Sequence, residues 1–211
     1  FFQYKKGYIK IALIYSTSSS FFIVFILISL LIFISYLLFP SSLYEYIIID
    51  GASKDNTMDI VRRYEPLFGG RMKWISEPDN GIYDAMNKGI KMATGEIIGI
   101  VNSDDWLEVN ALQILVDEIN QDYGNQKKIL TGEVLFHYED GLTQLYPTSF
   151  ERYEYFAKRY RMGLNHPATF VPRSIYDRIG IFDERFKLYA DADFIIRCYE
   201  AGAGVHFIHN V

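Results

Sequence analysis

The sequence predicts an α/β domain with a mostly parallel sheet flanked by helices. Short apolar runs recur at residues 45–50, 72–76 and 97–101; the first two close on a polar residue, Asp50 and Ser76, and Asn102 follows the third. Amphipathic stretches at helical spacing separate them, and strands that alternate with helices build parallel sheets. Half of the 211 residues are hydrophobic, enough to core one domain, with or without an appendage.

In chain order, residues 8–15 (YIKIALIY) alternate weakly as a strand would, and Ser16 to Ser20 is a polar break. Residues 45–50 (EYIIID) form a strand ending in Asp50, followed by a loop with cap chemistry and a helix to about Tyr64. A short strand over 72–76 leads to the turn EPDNG. Ile82, Ala85, Met86, Gly89, Ile90 and Ala93 then make one apolar helical face. A second amphipathic helix carries Val109, Leu112, Leu115, Val116 and Ile119. Beyond Gly124 the pattern predicts a hairpin of 128–136 with 142–146 and an aromatic-rich helix over 150–161. A strand over 168–171, a helical turn over 174–179, a helix over 190–201 and a last strand over 205–209 follow.

Residues 95–107 (GEIIGIVNSDDWL) organise the rest. A buried-strand pattern ends there in two adjacent carboxylates, Asp104 and Asp105. They fall at the carboxyl end of a central strand, the edge where open α/β sheets bind ligands. Neighbouring carboxylates repel unless a cation or donors compensate them, and a divalent metal on a phosphate would do so. A solvated turn with an N-cap Asp is the alternative reading.

The net charge of −5 gives no nucleic-acid footprint, so no nucleic-acid partner is expected. The single cysteine, Cys198, excludes an internal disulfide and a cysteine-based zinc site; it reads as a small apolar helix residue. Residues 21–39 are apolar but for Ser29, Ser35 and Tyr36. As a helix they would span roughly 28 Å, about one hydrocarbon core. The expectation is a very apolar N-terminal helix within residues 1–43, ahead of a domain over 44–211, and association with a membrane. The basic residues before the run (Lys5, Lys6, Lys10) would keep the N-terminus cytosolic and put the domain on the far side. Cytosolic substrates argue for a cytoplasmic active site; lumenal placement is the alternative.

Five blocks together resemble the family 2 glycosyltransferases of GT-A fold. They are 47–57 (IIIDGASKDNT), 76–89 (SEPDNGIYDAMNKG), 102–107 (NSDDWL), 165–167 (NHP) with 180–184 (GIFDE), and 190–194 (ADADF). The resemblance covers about residues 45–209 and rests on all five occurring in order. It implies a Rossmann-like nucleotide-diphospho-sugar transferase fold and transfer of a sugar, with inversion, from a donor that is usually UDP- or GDP-linked. The acceptor implied is a saccharide or a lipid-linked one, at or near a membrane.

The resemblance also assigns residues. Asp50 matches the acid that contacts the nucleotide base, with a turn or capping Asp as the alternative. Ser53 belongs to the same loop, where shaping the loop and touching the donor both stay open. Asp79, Gly81, Asp84 and Asn87 match the segment beside the donor. Gly81 is equally explained by a turn, and Asp84 by exposed helix surface. Asp104 and Asp105 match the DXD-type motif, with Asp104 nearer the ribose and Asp105 on a Mn²⁺ or Mg²⁺ ion; Asn102 stands where the first acid is usual. Asp191 matches the catalytic base, with a dipole-favoured N-terminal acid as the alternative. His166 lines the donor or acceptor pocket or is a structural loop histidine.

The departure from the family lies at the N-terminus. Residues 16–20 lack the usual loop signature, and 21–39 lack the polar face of a surface helix. This motivates a second hypothesis, a catalytically impaired, membrane-associated relative acting as a binding or assembly protein.

Overall fold

A computed structural model describes residues 11–17, 44–103, 105–108, 110–122, 128–138 and 140–209. Strand β1 (Ile11–Thr17) lies inside the main sheet. It runs parallel to β2 (Tyr44–Asp50) on one side and to β4 (Ile97–Asn102) on the other, with Ile14 opposite Ile47 and Ile100. β3 (Met72–Ser76) extends the parallel array beyond β2. Beyond β4 come β8 (Thr169–Pro172), antiparallel to both neighbours, then β5 (Ile129–Thr131) and β9 (Val205–Phe207). The described order is β3-β2-β1-β4-β8-β5-β9. The chain order reverses between β1 and β4, the crevice where doubly wound sheets bind ligands.

Successive strand residues point to opposite faces, so each strand feeds two cores. Ile14, Ile47, Ile49, Ile98 and Ile100 face α2 (Ile82–Met92), α5 (Arg173–Ile179) and α6 (Ala190–Glu200). Leu13, Tyr46, Ile48, Ile97 and Val101 face α1 (Thr57–Tyr64) and α3 (Ala111–Asp122). This two-sided burial explains why the strands read as near-continuous apolar runs.

The approach of α2 to β1 depends on Gly89, where a Cβ would run into the Ile14 side chain. Gly89→Ala is therefore expected to destabilise the fold by about 1–3 kcal/mol through overpacking, read as a lower urea midpoint. An unchanged midpoint would contradict this packing of α2 on β1.

Three features differ from the sequence expectation. Residues 11–17 belong to the centre of the sheet, so the domain draws on the chain before residue 44. The expected strand over 128–136 is broken at Gly132, whose N–H donates to Ala168 O at 2.9 Å. Its first part is buried in the main sheet, whereas β6 (Val134–His137) pairs with β7 (Thr143–Tyr146) in a separate hairpin. The helix over 150–161 ends as α4 (Phe150–Ala157), with Tyr160 left-handed at φ 53°. The apolar helix expected over 21–39 lies outside the described residues; among those described, no helix is long and apolar enough to cross a membrane.

Candidate active site

The register aligns the carboxyl ends of four strands. Thr17 lies opposite Asp50, Asp50 opposite Ser76, and Ser16 opposite Asn102. Asp50 ends β2, Asp79 follows β3 and Asp105 follows β4, whereas Asp84 lies in the first turn of α2.

Asp50 is fully buried. Its Oδ2 accepts from Ser53 N at 3.1 Å and from Ser76 Oγ at 2.6 Å. The carboxylate thus ties the 51–53 loop to the end of β3, and Ser53 contributes through its backbone. In the same loop Ala52 adopts φ 63°, a conformation that costs a non-glycine residue and fixes the path of the chain.

After β3 the chain knots itself. Asp79 Oδ1 accepts from Gly81 N at 2.9 Å, and Asp84 Oδ2 accepts from Asn80 N at 2.9 Å. Gly81 has φ 120°, which favours glycine. The Asn80 amide, aided by Lys88, holds the Asp84 carboxyl below its ordinary range. Asp79 Oδ2 is buried with no hydrogen-bond partner among the described residues, so an acceptor remains available in this turn.

Asn87, expected beside the donor, points instead into the core. Its amide donates to Phe182 O and Glu184 Oε1, and its oxygen accepts from Phe182 N at 3.0 Å. It clamps α2 to the 182–184 turn, and with the side chain buried and both amide ends used it does not line the cleft.

At the end of β4, Asp105 N donates to Asn102 O, and Asn102 Nδ2 donates to Asp105 Oδ2, both at 3.1 Å. Asp104 lies outside the described residues. Asn102 Oδ1 is buried without a partner among those described. A carboxylate beside an orphaned amide oxygen is a hard-oxygen donor set, which suits Mg²⁺ or Mn²⁺. The described residues hold no group of three metal-ligating side chains. One or two carboxylates completed by substrate phosphates is how such ions are commonly held, so the residues fit a divalent cation.

Asp105 also borders a cleft of about 670 Å³, walled by Trp106, α3 and the β6–β7 hairpin and floored by Phe170 and Ile208. The Trp106 and His137 rings lie 5.0 Å apart at its rim. Pro167 and Ala168 close its far side. Their neighbour His166 lies near Asp191, in the first turn of α6. Burial pushes the His166 imidazole below its usual range, against the opposing pull of Asp191, so the ring is neutral at pH 7.

Asp191 Oδ1 accepts a 2.8 Å hydrogen bond from the Tyr83 hydroxyl of α2. Asp193, in the same turn, is held by Arg197 Nε at 2.8 Å. Arg197 also donates to the Ile179 and Ile181 carbonyls, which anchors α6 to the preceding turn. The two acids thus differ in partner: Asp193 is bound to Arg197 within α6, and Asp191 is tied to α2 through Tyr83. Tyr83 is the residue that the sequence reading passes over. Its signal was its place beside Gly81 and Asp84 within the GIYDAMNKG block.

A doubly wound sheet with acids at its carboxyl edge has the architecture of the α/β proteins that bind ligands at that edge. A profile described as "Glycosyl transferase family 2" matches residues 32–180, and the chain belongs to that family. It is 29% identical over 173 residues to a PGL/p-HBAD biosynthesis glycosyltransferase of Mycobacterium bovis (strain BCG / Pasteur 1173P2), covering 80% of this chain and 63% of that protein. It is 26% identical over 185 residues to glycosyltransferase AglE of Haloferax volcanii, covering 82% of this chain and 57% of that protein. The chain thus spans less than two thirds of the length of these curated relatives.

Among solved structures, S. aureus TarS 1-349 superposes with a TM-score of 0.71 at 20% identity, covering 94% of this chain and 58% of that 1-349 chain. The mannosyltransferase PcManGT of Pyrobaculum calidifontis, solved with GDP-Man and Mn²⁺, gives 0.66 at 18%, covering 98% and 56%. At these identities the likeness is one of fold.

Proposed function

We propose that this chain is the donor-binding and catalytic part of an inverting glycosyltransferase that uses a nucleotide-diphosphate sugar. The observation that carries this reading is the split of acids between strand ends and a helix. Asp50, Asp79 and Asp105 follow strand ends at the carboxyl edge, and Asp191 opens a helix packed on one face of the sheet. In-line displacement asks for that division, with the leaving diphosphate on one side of the sugar and a base on the other.

Asp191 takes the proton of the acceptor hydroxyl as that oxygen bonds to the anomeric carbon. The bond from that carbon to the diphosphate oxygen breaks, and the nucleoside diphosphate leaves with its electron pair. Asp105, with Asp104, would hold a divalent cation, which supplies charge compensation for the diphosphate. The Asp79 turn lies between β3 and α2, beside the donor path.

A UDP-linked donor is the first choice because TarS was solved with UDP-GlcNAc; GDP-linked sugars come second, from PcManGT. The cleft beyond Asp105, with its Trp106 rim, suits the apolar and ring-stacking surface of a saccharide or lipid-linked acceptor. The apolar run at 21–39 supports work at a membrane; a cytoplasmic active site rests instead on the cytosolic supply of nucleotide sugars.

Calorimetric titration of UDP into the chain, with and without Mn²⁺, tests the donor site. Metal-dependent binding is expected, with affinity reduced at least about tenfold in Asp105→Ala by loss of a charge-assisted contact. Failure of UDP and GDP alike to bind the folded chain would overturn the proposal.

A further inference from the structure

We infer that Tyr83 is a positioning residue for the base, fixing one oxygen of Asp191 and leaving the other for the acceptor hydroxyl. The inference rests on the assignment of Asp191 as base. Tyr83 OH donates to Asp191 Oδ1 at 2.8 Å and accepts from Tyr189 N at 3.2 Å. Tyr189 is the N-cap of α6 and adopts a left-handed conformation, φ 77° and ψ 17°. One phenol on α2 therefore holds both the strained entry of α6 and the carboxylate two residues on. The ring is fixed in turn by Phe182, with centroids 5.6 Å apart. Phe182 is itself locked by both backbone bonds to Asn87, one turn after Tyr83 on α2.

The direction of the hydrogen bond is set by protonation. Burial first, and the Asp191 charge second, push the Tyr83 phenol up to about 12, so it keeps its proton and donates. The titratable and charged groups facing Asp191 are few. Tyr83 comes from α2 and His166 from the turn His166–Ala168, while Asp193 on α6 is paired with Arg197. Among the described residues on other elements, only Tyr83 hydrogen-bonds the carboxylate, and His166 acts through its field. A donor to the charged form of a carboxylate stabilises that form.

Tyr83→Phe keeps the ring and removes the hydroxyl. The first readout needs no substrate: carbon NMR of the aspartate carboxyls of the full chain at neutral pH, with the Asp191 signal assigned by its loss in Asp191→Asn. The Asp191 carboxyl signal is expected to shift in Tyr83→Phe, which removes the hydrogen bond. A ring-fluorinated tyrosine at position 83, a stronger donor of the same shape, is expected to shift it in the opposite direction. The second readout is UDP release from UDP-GlcNAc with water as acceptor. Tyr83→Phe is expected to lower kcat about 10- to 100-fold with donor KM unchanged, as for loss of a bond to a charged group.

An Asp191 carboxyl signal that moves in neither variant overturns the positioning role. If Asp191→Asn still releases UDP at the wild-type rate, the base assignment fails, and the inference fails with it. If Tyr83→Phe does not fold, the fluorinated protein decides by the same signal.

Discussion

Asp191→Asn is expected to lower sugar transfer by about 10³-fold while leaving nucleotide affinity unchanged, the range for loss of a positioned general base. The amide is the same size, and its oxygen can still accept from Tyr83, so α6 keeps its first turn. Proton acceptance is what is removed. Asp193→Asn is the control: that carboxylate is engaged by Arg197 at 2.8 Å, so its loss should loosen α6 more than it slows the reaction. Steady-state kinetics with separate kcat and KM, alongside thermal melts, separate the two. A rate that survives Asp191→Asn would shift attention to His166, a half-buried imidazole near Asp191.

The elements of the sheet were legible because burial on both faces forces apolar, β-branched runs of a length no surface helix shares. β2, β3 and β4 follow the sequence reading closely. β1 was weaker because its alternation is interrupted by Lys10 and polar flanks, yet pairing on both sides holds it at the centre. Its presence removes one ground for suspecting a domain without its first strand.

The acids were legible as a set, since strand ends mark the ligand edge. Their individual roles were not. Asn87 looks like a polar residue on an amphipathic helix, and only the return of the chain to Phe182 reveals it as a clamp. The same folding brings Tyr83 to Asp191, 108 residues apart in sequence. The division of 128–136 between two sheets was equally hidden, because it depends on which half is covered by β8 and β9.

Glu45→Ala is expected to destabilise the domain by about 2–4 kcal/mol, the range for stripping buried donors of a charged partner. The sequence offers Glu45 only as the first residue of a strand. In the fold its side chain is 1% exposed and faces the loop that joins α2 to β4. Its carboxylate accepts from Lys73 Nζ at 2.8 Å, from Gly95 N at 2.6 Å and from the Thr94 amide and hydroxyl. Alanine would leave the buried Gly95 N–H and the neighbouring Thr94 N–H without that acceptor, whereas Glu45→Gln keeps an oxygen for them and should cost less. Burial opposes the charge, but Lys73, Thr94 and Gly95 outweigh it and hold the carboxyl at about 2, below its ordinary value of 4.5. A depressed folded-state value means the stabilisation is complete above pH 4.5 and is lost as pH falls toward 2. The gap in urea midpoint between wild type and Glu45→Ala should therefore be constant near neutrality and narrow over that window. The residue lies at the amino end of β2, opposite to the ligand edge, so UDP affinity should not change in the folded variant. A gap that stays constant down to pH 2 would show that Glu45 acts through packing alone, and lost UDP binding in a folded variant would mean that the two edges are coupled through the strand.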